Sequence, residues 1–189
     1  MINDLRAKKR QRGVTLLEML ITLAIAAIIL TLVAPNIQSI LTRNKITAEI
    51  NEMSGLLQFA RFTAIDEQTN TIVCPTSDFL ACTNDWDSPK MVFIDDNANG
   101  TRDDADEPLL LSSQSISATN TMTSSENSIV FFDSGAASAA AEITICPNSN
   151  DATFARALLV SLQGRTRVAV DNNNDGVVEI ASGAAISCP

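Results

Sequence analysis

The chain has 189 residues, 46% of them hydrophobic, a length that suits one globular domain with an extension. It contains no histidine, which excludes histidine triads, His-ligated zinc and imidazole acid–base chemistry. Its formal charge of −9 joins unlike parts: five basic residues against Asp4 put +4 into the first thirteen residues, and the remaining 8 basic and 21 acidic residues leave −13. A body that acidic repels nucleic acid and anionic lipid on average, so either partner requires a local basic patch.

The basic head MINDLRAKKRQRG runs into VTLLEMLITLAIAAIILTLVA, 21 residues interrupted by one charge, Glu18. As a helix this run, residues 14–34, spans about 31 Å, roughly the hydrocarbon thickness of a bilayer. A secretory signal has a shorter apolar region and small residues at its cleavage site; this run continues into a helical pattern and is expected to be retained. Basic residues before it and none soon after it place the N-terminus in the cytoplasm and the rest, after a single pass, on the translocated side. A carboxylate inside a span costs about 2.5–3.5 kcal/mol at the helix centre and less near an end, so Glu18 needs a compensating partner.

Gly13, Val14, Thr15, Leu16, Leu17 and Glu18 together resemble the class III signal of type IV prepilins. The resemblance implies a leader over residues 1–13, removed by the prepilin peptidase after Gly13, with methylation of the new N-terminus at Val14. It also implies that Glu18 pairs with the terminal amine of a neighbouring subunit during assembly. Val14 departs from the phenylalanine usual in this family. Pro35 falls where pilin helices carry a proline that kinks or melts the helix inside the filament.

Beyond Pro35, Ile46, Ile50, Met53, Leu57, Ala60 and Ala64 recur at spacings of three and four, the stripe of a helix packed on one face. One long helix over residues 14–68 is expected, its upper half holding a head and its lower half needing lipid or neighbouring subunits. From Thr71 the period shortens. TIVCP, MVFIDD, PLLLSS, SIVFFD, AEITICP, RALLVSLQ and RTRVAV are short β-prone runs separated by Asn, Asp, Gly, Ser and Pro. They predict an antiparallel sandwich over residues 71–189, the periplasmic head, packed on the helix. The expected fold class is α+β, the pilin fold.

Cys74, Cys82, Cys146 and Cys188 all follow the membrane run, where oxidation is expected. Four cysteines permit three pairings; Cys74 with Cys82 and Cys146 with Cys188 is the favoured one. The spacings lack any CxxC pair, which argues against zinc.

The head also resembles a particular branch. CPTSDFLAC, the tryptophan of NDWDS, MVFIDDNANGTRDDADEPLL, FFDSG, ITIC, SLQGRTRVAV and Cys188 look like the FimT and GspH minor pilins, closer to FimT. The resemblance implies a low-abundance subunit that helps start or cap filaments, in type IV pili for FimT and in type II secretion for GspH. In FimT proteins a GRxR motif is associated with binding DNA during natural transformation, and Gly164, Arg165, Thr166 and Arg167 match it. On a strand Arg165 and Arg167 share a face about 7 Å apart, near the phosphate spacing of one DNA strand. Arg156 adds one nearby positive charge, against Asp171, Asp175 and Glu179. The expected function is that of a FimT-like minor pilin in pilus assembly and DNA uptake. Its expected partners are other pilins, the prepilin peptidase, the inner membrane and double-stranded DNA. The alternative is a GspH-like pseudopilin, with assembly into a pseudopilus.

Two acidic runs remain. Asp95, Asn97, Asn99 and Gly100 fit the opening of a calcium loop, with Thr101, Asp103 and Asp106 at later ligand positions, although Asp106 replaces the usual bidentate Glu. Asp171, Asn173, Asp175 and Gly176 open a second such run that closes on Ser182. Both are expected as hairpin turns first, with calcium the sharper reading at each and the better match at the first. With no nucleophile motif and no phosphate-binding Gly loop, an enzyme is not expected, and no cofactor other than that calcium.

Overall fold

The computed structural model describes residues 13–103 and 107–188, and the backbone alone of residues 32–36. The leader over residues 1–12 and the ligand position Asp106 therefore lie outside the described residues. The chain divides into two compact units, Met1–Ile40 and Leu41–Pro189. One helix, α1 (Leu16–Glu67), contributes to both. Among the described residues eight strands follow: β1 (Thr71–Pro75), β2 (Lys90–Ile94), β3 (Leu109–Ser112), β4 (Asn120–Ser124), β5 (Ile129–Phe131), β6 (Ala141–Pro147), β7 (Arg156–Val160) and β8 (Thr166–Val168).

Within the first unit every described side chain from Leu16 to Thr31 is exposed, Leu16, Leu23 and Leu30 by 78%, 65% and 67%. So much apolar surface on one rod has no cover within its own unit. Among the described residues no helix is long and apolar enough to cross a membrane. The apolar run read from the sequence continues to Ala34, and the side chains of residues 32–34 are outside the described set. The helical backbone is continuous through Pro35.

In the second unit the expected stripe is the buried face of α1: Ile46, Ile50, Met53, Leu57, Ala60 and Ala64 are at most 2% exposed. The helix ends at Gln68, which takes the left-handed conformation (φ 54°) while Thr69 N–H donates back to the Ala64 carbonyl, satisfying a terminal acceptor. Two antiparallel four-stranded sheets, ordered β3-β2-β1-β5 and β4-β6-β7-β8, each send one face to the same core. Val73, Val92, Ile129 and Phe131 come from the first sheet; Met122, Ile143, Ile145, Leu158 and Val160 come from the second. The sheets have covered outer faces too. Ile72, Cys74, Met91 and Phe93 back the first sheet under the Phe79–Cys82 segment, and Ala155, Ala157, Leu159 and Ala169 back the second under Val178 and Ile186. Strands covered on both sides read as continuous apolar runs, which is why TIVCP is buried at all five positions.

Each outer layer is small, and each is stapled. Cys74 bonds Cys82 and Cys146 bonds Cys188, the favoured pairing. The second bond closes 42 residues of chain, which in the loop-entropy account restricts the unfolded state by about 4 kcal/mol.

Polar groups tie the helix to the sheets. Glu49 accepts from Ser117 N–H (2.9 Å) and from Asn120 Nδ2 (2.6 Å), so one helix carboxylate fixes the start of β4. Lys90 on β2 is 2% exposed; burial pushes its ammonium below its ordinary pKa, against the pull of Asp87, Glu52, Glu49 and Asp85.

Candidate functional site

At the start of α1 the chain sets up its own helix cap. Thr15 Oγ1 accepts from Glu18 N–H at 3.2 Å, and Met19 N–H bonds the Thr15 carbonyl, the opening of a Thr-x-x-Glu capping box. Glu18 thus lies in the first helical turn, where the helix dipole favours a carboxylate. Its side chain is exposed, as are Gly13 and Val14, and nothing lies within 4 Å of the place a Cβ on Gly13 would occupy. Among the described residues nothing covers this segment.

The Gly164–Arg167 motif lies on the hairpin that joins β7 to β8, and β8 is an edge strand. Its glycine has a structural task. Gly164 has φ +71°, its N–H donates to the Ser161 carbonyl, and a Cβ there would overlap the Gly135 carbonyl oxygen. Arg61 of α1 seals the approach, with Nε donating to the Gly135 carbonyl (2.8 Å) and Nη2 to that of Gln163 (3.2 Å). The FFDSG and SLQGR segments are thereby clamped to the helix through one guanidinium.

The two arginines that follow are both exposed. Arg167 pairs with Leu159 of β7, and Leu159 belongs to the outer layer of the second sheet, so Arg167 stands on that outer face, which Arg165 shares two residues earlier. An open groove of about 710 Å³ runs beside them, lined by Ala140, Leu159, Leu162, Arg165, Arg167 and Ala181 among others. Ser161 N–H donates to the Arg165 carbonyl and Ala169 N–H to that of Ala157, so the alternate residues Thr166 and Val168 turn their backbone groups outward along the edge.

Arg156 does not join them. It alternates with Leu158 and Val160, the core-facing residues of β7, and its Nη1 donates to the Ala155 carbonyl at 2.7 Å. The structure thus brings together two of the three sequence-selected arginines. Glu142 pairs with Leu159 from the other side, which puts one carboxylate in the row of Arg167, two strands or about 10 Å away.

The acidic runs are turns between or after strands, and among the described residues no group of three His, Cys, Asp or Glu side chains is arranged to hold a metal ion. In the first, Asp95 accepts from Asn99 and Gly100 N–H, and Asp103 accepts from the side-chain amides of Asn97 and Asn99. Glu107, which sequence reasoning passed over, closes this turn: 2% exposed, it accepts from Asp96 N–H (3.1 Å) and Asp103 N–H (2.8 Å). In the second, Asp171 accepts from Asn174, Asp175 and Gly176 N–H, and the closing residue is Glu179 rather than Ser182. Nothing in the local pattern marks either glutamate as the residue that closes its turn.

The comparisons bear on this architecture. The family described as Type II transport protein GspH matches residues 49–164, and the prokaryotic N-terminal methylation motif matches residues 8–34. Among solved structures, the type IV minor pilin FimU of Pseudomonas aeruginosa is similar over 78% of this chain and 97% of its own, at 20% identity and a TM-score of 0.57. A second crystal form of that pilin gives 19% identity, coverage of 76% and 99%, and a TM-score of 0.54. The minor pseudopilin EpsH from the type 2 secretion system of Vibrio cholerae is 9% identical, covering 66% and 95%, with a TM-score of 0.49. No curated protein is significantly similar in sequence.

The long helix with two antiparallel sheets is the fold of the minor pilin FimU, and the family and methylation-motif matches define the class: a pilin-like structural subunit rather than an enzyme. Because the matched segment spans more than half of its length, the chain belongs to the GspH family, and it is a minor pilin or pseudopilin.

Proposed function

We propose that this chain is a FimT-like minor type IV pilin that acts in pilus assembly and contacts double-stranded DNA during uptake. In this reading the prepilin peptidase cuts after Gly13, Val14 is methylated, residues 14–34 cross the inner membrane, and the head stays in the periplasm until Glu18 draws the subunit into a filament. The observation that carries the DNA contact is the pair Arg165 and Arg167, exposed on one face of an edge strand whose turn is fixed by Gly164 and Arg61. Two guanidinium groups about 7 Å apart can fork phosphate oxygens without reading bases.

Two contacts bind weakly. At about −0.9 per phosphate contact the slope of log K against log salt is about −1.8, so raising salt from 50 to 200 mM weakens binding roughly tenfold. Anisotropy of a labelled duplex with the full chain in detergent micelles is expected to show this salt-sensitive binding, and the Arg165→Ala, Arg167→Ala double variant is expected to lose it. Absence of binding at 50 mM salt removes DNA from the account. The second reading, a type II secretion pseudopilin with the same membrane anchoring and assembly, is favoured by the description of its family as a type II transport protein. A deletion strain that loses secretion and keeps transformation supports that reading.

A further inference from the structure

In the turns that open at Asp95 and Asp171 the first aspartate accepts from the N–H groups around a glycine and a later glutamate accepts from the second residue, but the two glutamates differ. Glu107 has both carboxylate oxygens engaged, Oε1 by Asp96 N–H and Oε2 by Asp103 N–H. Glu179 has only one. Its Oε2 accepts from Asn172 N–H (2.7 Å) and Asn172 Nδ2 (3.2 Å), while Oε1 is buried with no partner, in a residue 6% exposed. Both bonds come from the second residue of the turn, so the carboxylate stands over the turn and its spare oxygen has no solvent. Buried carboxylate oxygens without a donor are rare because desolvation is left uncompensated, and a bound cation would compensate it. Asp171, Asn173 and Asp175 place side-chain oxygen atoms at alternate positions ahead of Gly176, which takes φ +91°.

We propose that the 171–179 turn binds one divalent cation of the calcium type, held by Glu179 with Asp171, Asp175, and the side-chain and backbone carbonyl oxygens of Asn173 and Val177. All the donors are oxygens, and the set mixes carboxylates with carbonyls, which suits calcium better than the rigid octahedron magnesium demands. The three acids do not converge on one point in the free chain. Asp175 is exposed and bonded only within the turn, its Oδ2 to Asn173 Nδ2, so it is the ligand that swings in as the ion enters. A site that must close on its ion binds in the weak range of extracellular modules, about 10⁻⁴ to 10⁻³ M. The ion also offsets Asp171, Asp175 and Glu179, the acids that follow Arg165 and Arg167.

Calorimetric titration of the full chain in detergent micelles with calcium chloride is expected to show one site. Glu179→Gln is expected to weaken it at least about tenfold, and Asp103→Asn, in the first turn, to leave it unchanged. Should Glu179→Gln not melt like the parent in calcium-free buffer, the surface variant Asp175→Asn decides, with the same loss expected. No binding up to about 10 mM calcium, retention of binding in a folded Glu179→Gln, or its loss in Asp103→Asn overturns the proposal.

Discussion

Gly164→Ala is expected to lower the stability of the head by about 3–4 kcal/mol, a fall of roughly 6–15 °C in melting temperature. Two costs add. A Cβ at φ +71° is held in the left-handed region, which costs about 1–2 kcal/mol, and it also meets the Gly135 carbonyl, so two loop backbones and the Arg61 guanidinium must part. Gly100→Ala separates the terms, because Gly100 has φ +76° with nothing within 4 Å of its would-be Cβ; it is expected to cost only about 1–2 kcal/mol. Thermal melts of the three proteins check this. The arginines of the same motif are exposed, and their replacement by alanine is expected to leave the melting temperature almost unchanged. The GRxR motif therefore divides into a glycine that shapes the hairpin and two arginines free for a partner.

Glu18→Ala and Glu18→Gln are both expected to reduce incorporation into filaments by roughly ten- to a hundred-fold, as lost charge-assisted contacts of about 1.5–3 kcal/mol require. The pair of variants is needed because Glu18 also occupies the third position of a helix cap, with its own N–H bonded to Thr15 Oγ1. Glutamine serves in a capping box as well as glutamate does, but carries no charge for a neighbour's amine. Both variants should insert more readily as monomers, since an ionised group has been taken out of an apolar run. Opposite signs for insertion and assembly are the mark of an intersubunit pairing. If Glu18→Gln assembles as well as the parent, the residue serves the cap alone. Quantifying the subunit in sheared filaments against the membrane fraction gives both numbers.

Where local pattern and tertiary environment agree, the sequence was a sufficient guide. The stripe from Ile46 to Ala64 is the buried helix face because α1 meets one core made by both sheets. Strand β4 escaped notice: NTMTS offers a single apolar residue, and its place is set by Asn120 bonding Glu49 some seventy residues earlier. The run SIVFFD is extended only over Ile129–Phe131, because Gly135 N–H turns back to the Phe132 carbonyl. The C-terminal segment has weak local signal, yet Val178 and Ile186 complete the outer layer of the second sheet under the Cys146–Cys188 bond. The arginine pair was legible from a two-residue spacing, whereas the placement of Arg156 depended on which face of β7 points inward. Glu107 and Glu179 were invisible as turn-closing groups, since residue type alone does not show that a carboxylate will fold back on an N–H of its own turn.

Processing at the N-terminus decides whether this pilin-like chain works as a filament subunit. Mass spectrometry of the protein recovered from the membranes and filaments of its native cells measures that directly. A mature chain whose first residue is N-methylated Val14 is the predicted result; a polypeptide that still begins at Met1 in the filament fraction contradicts it.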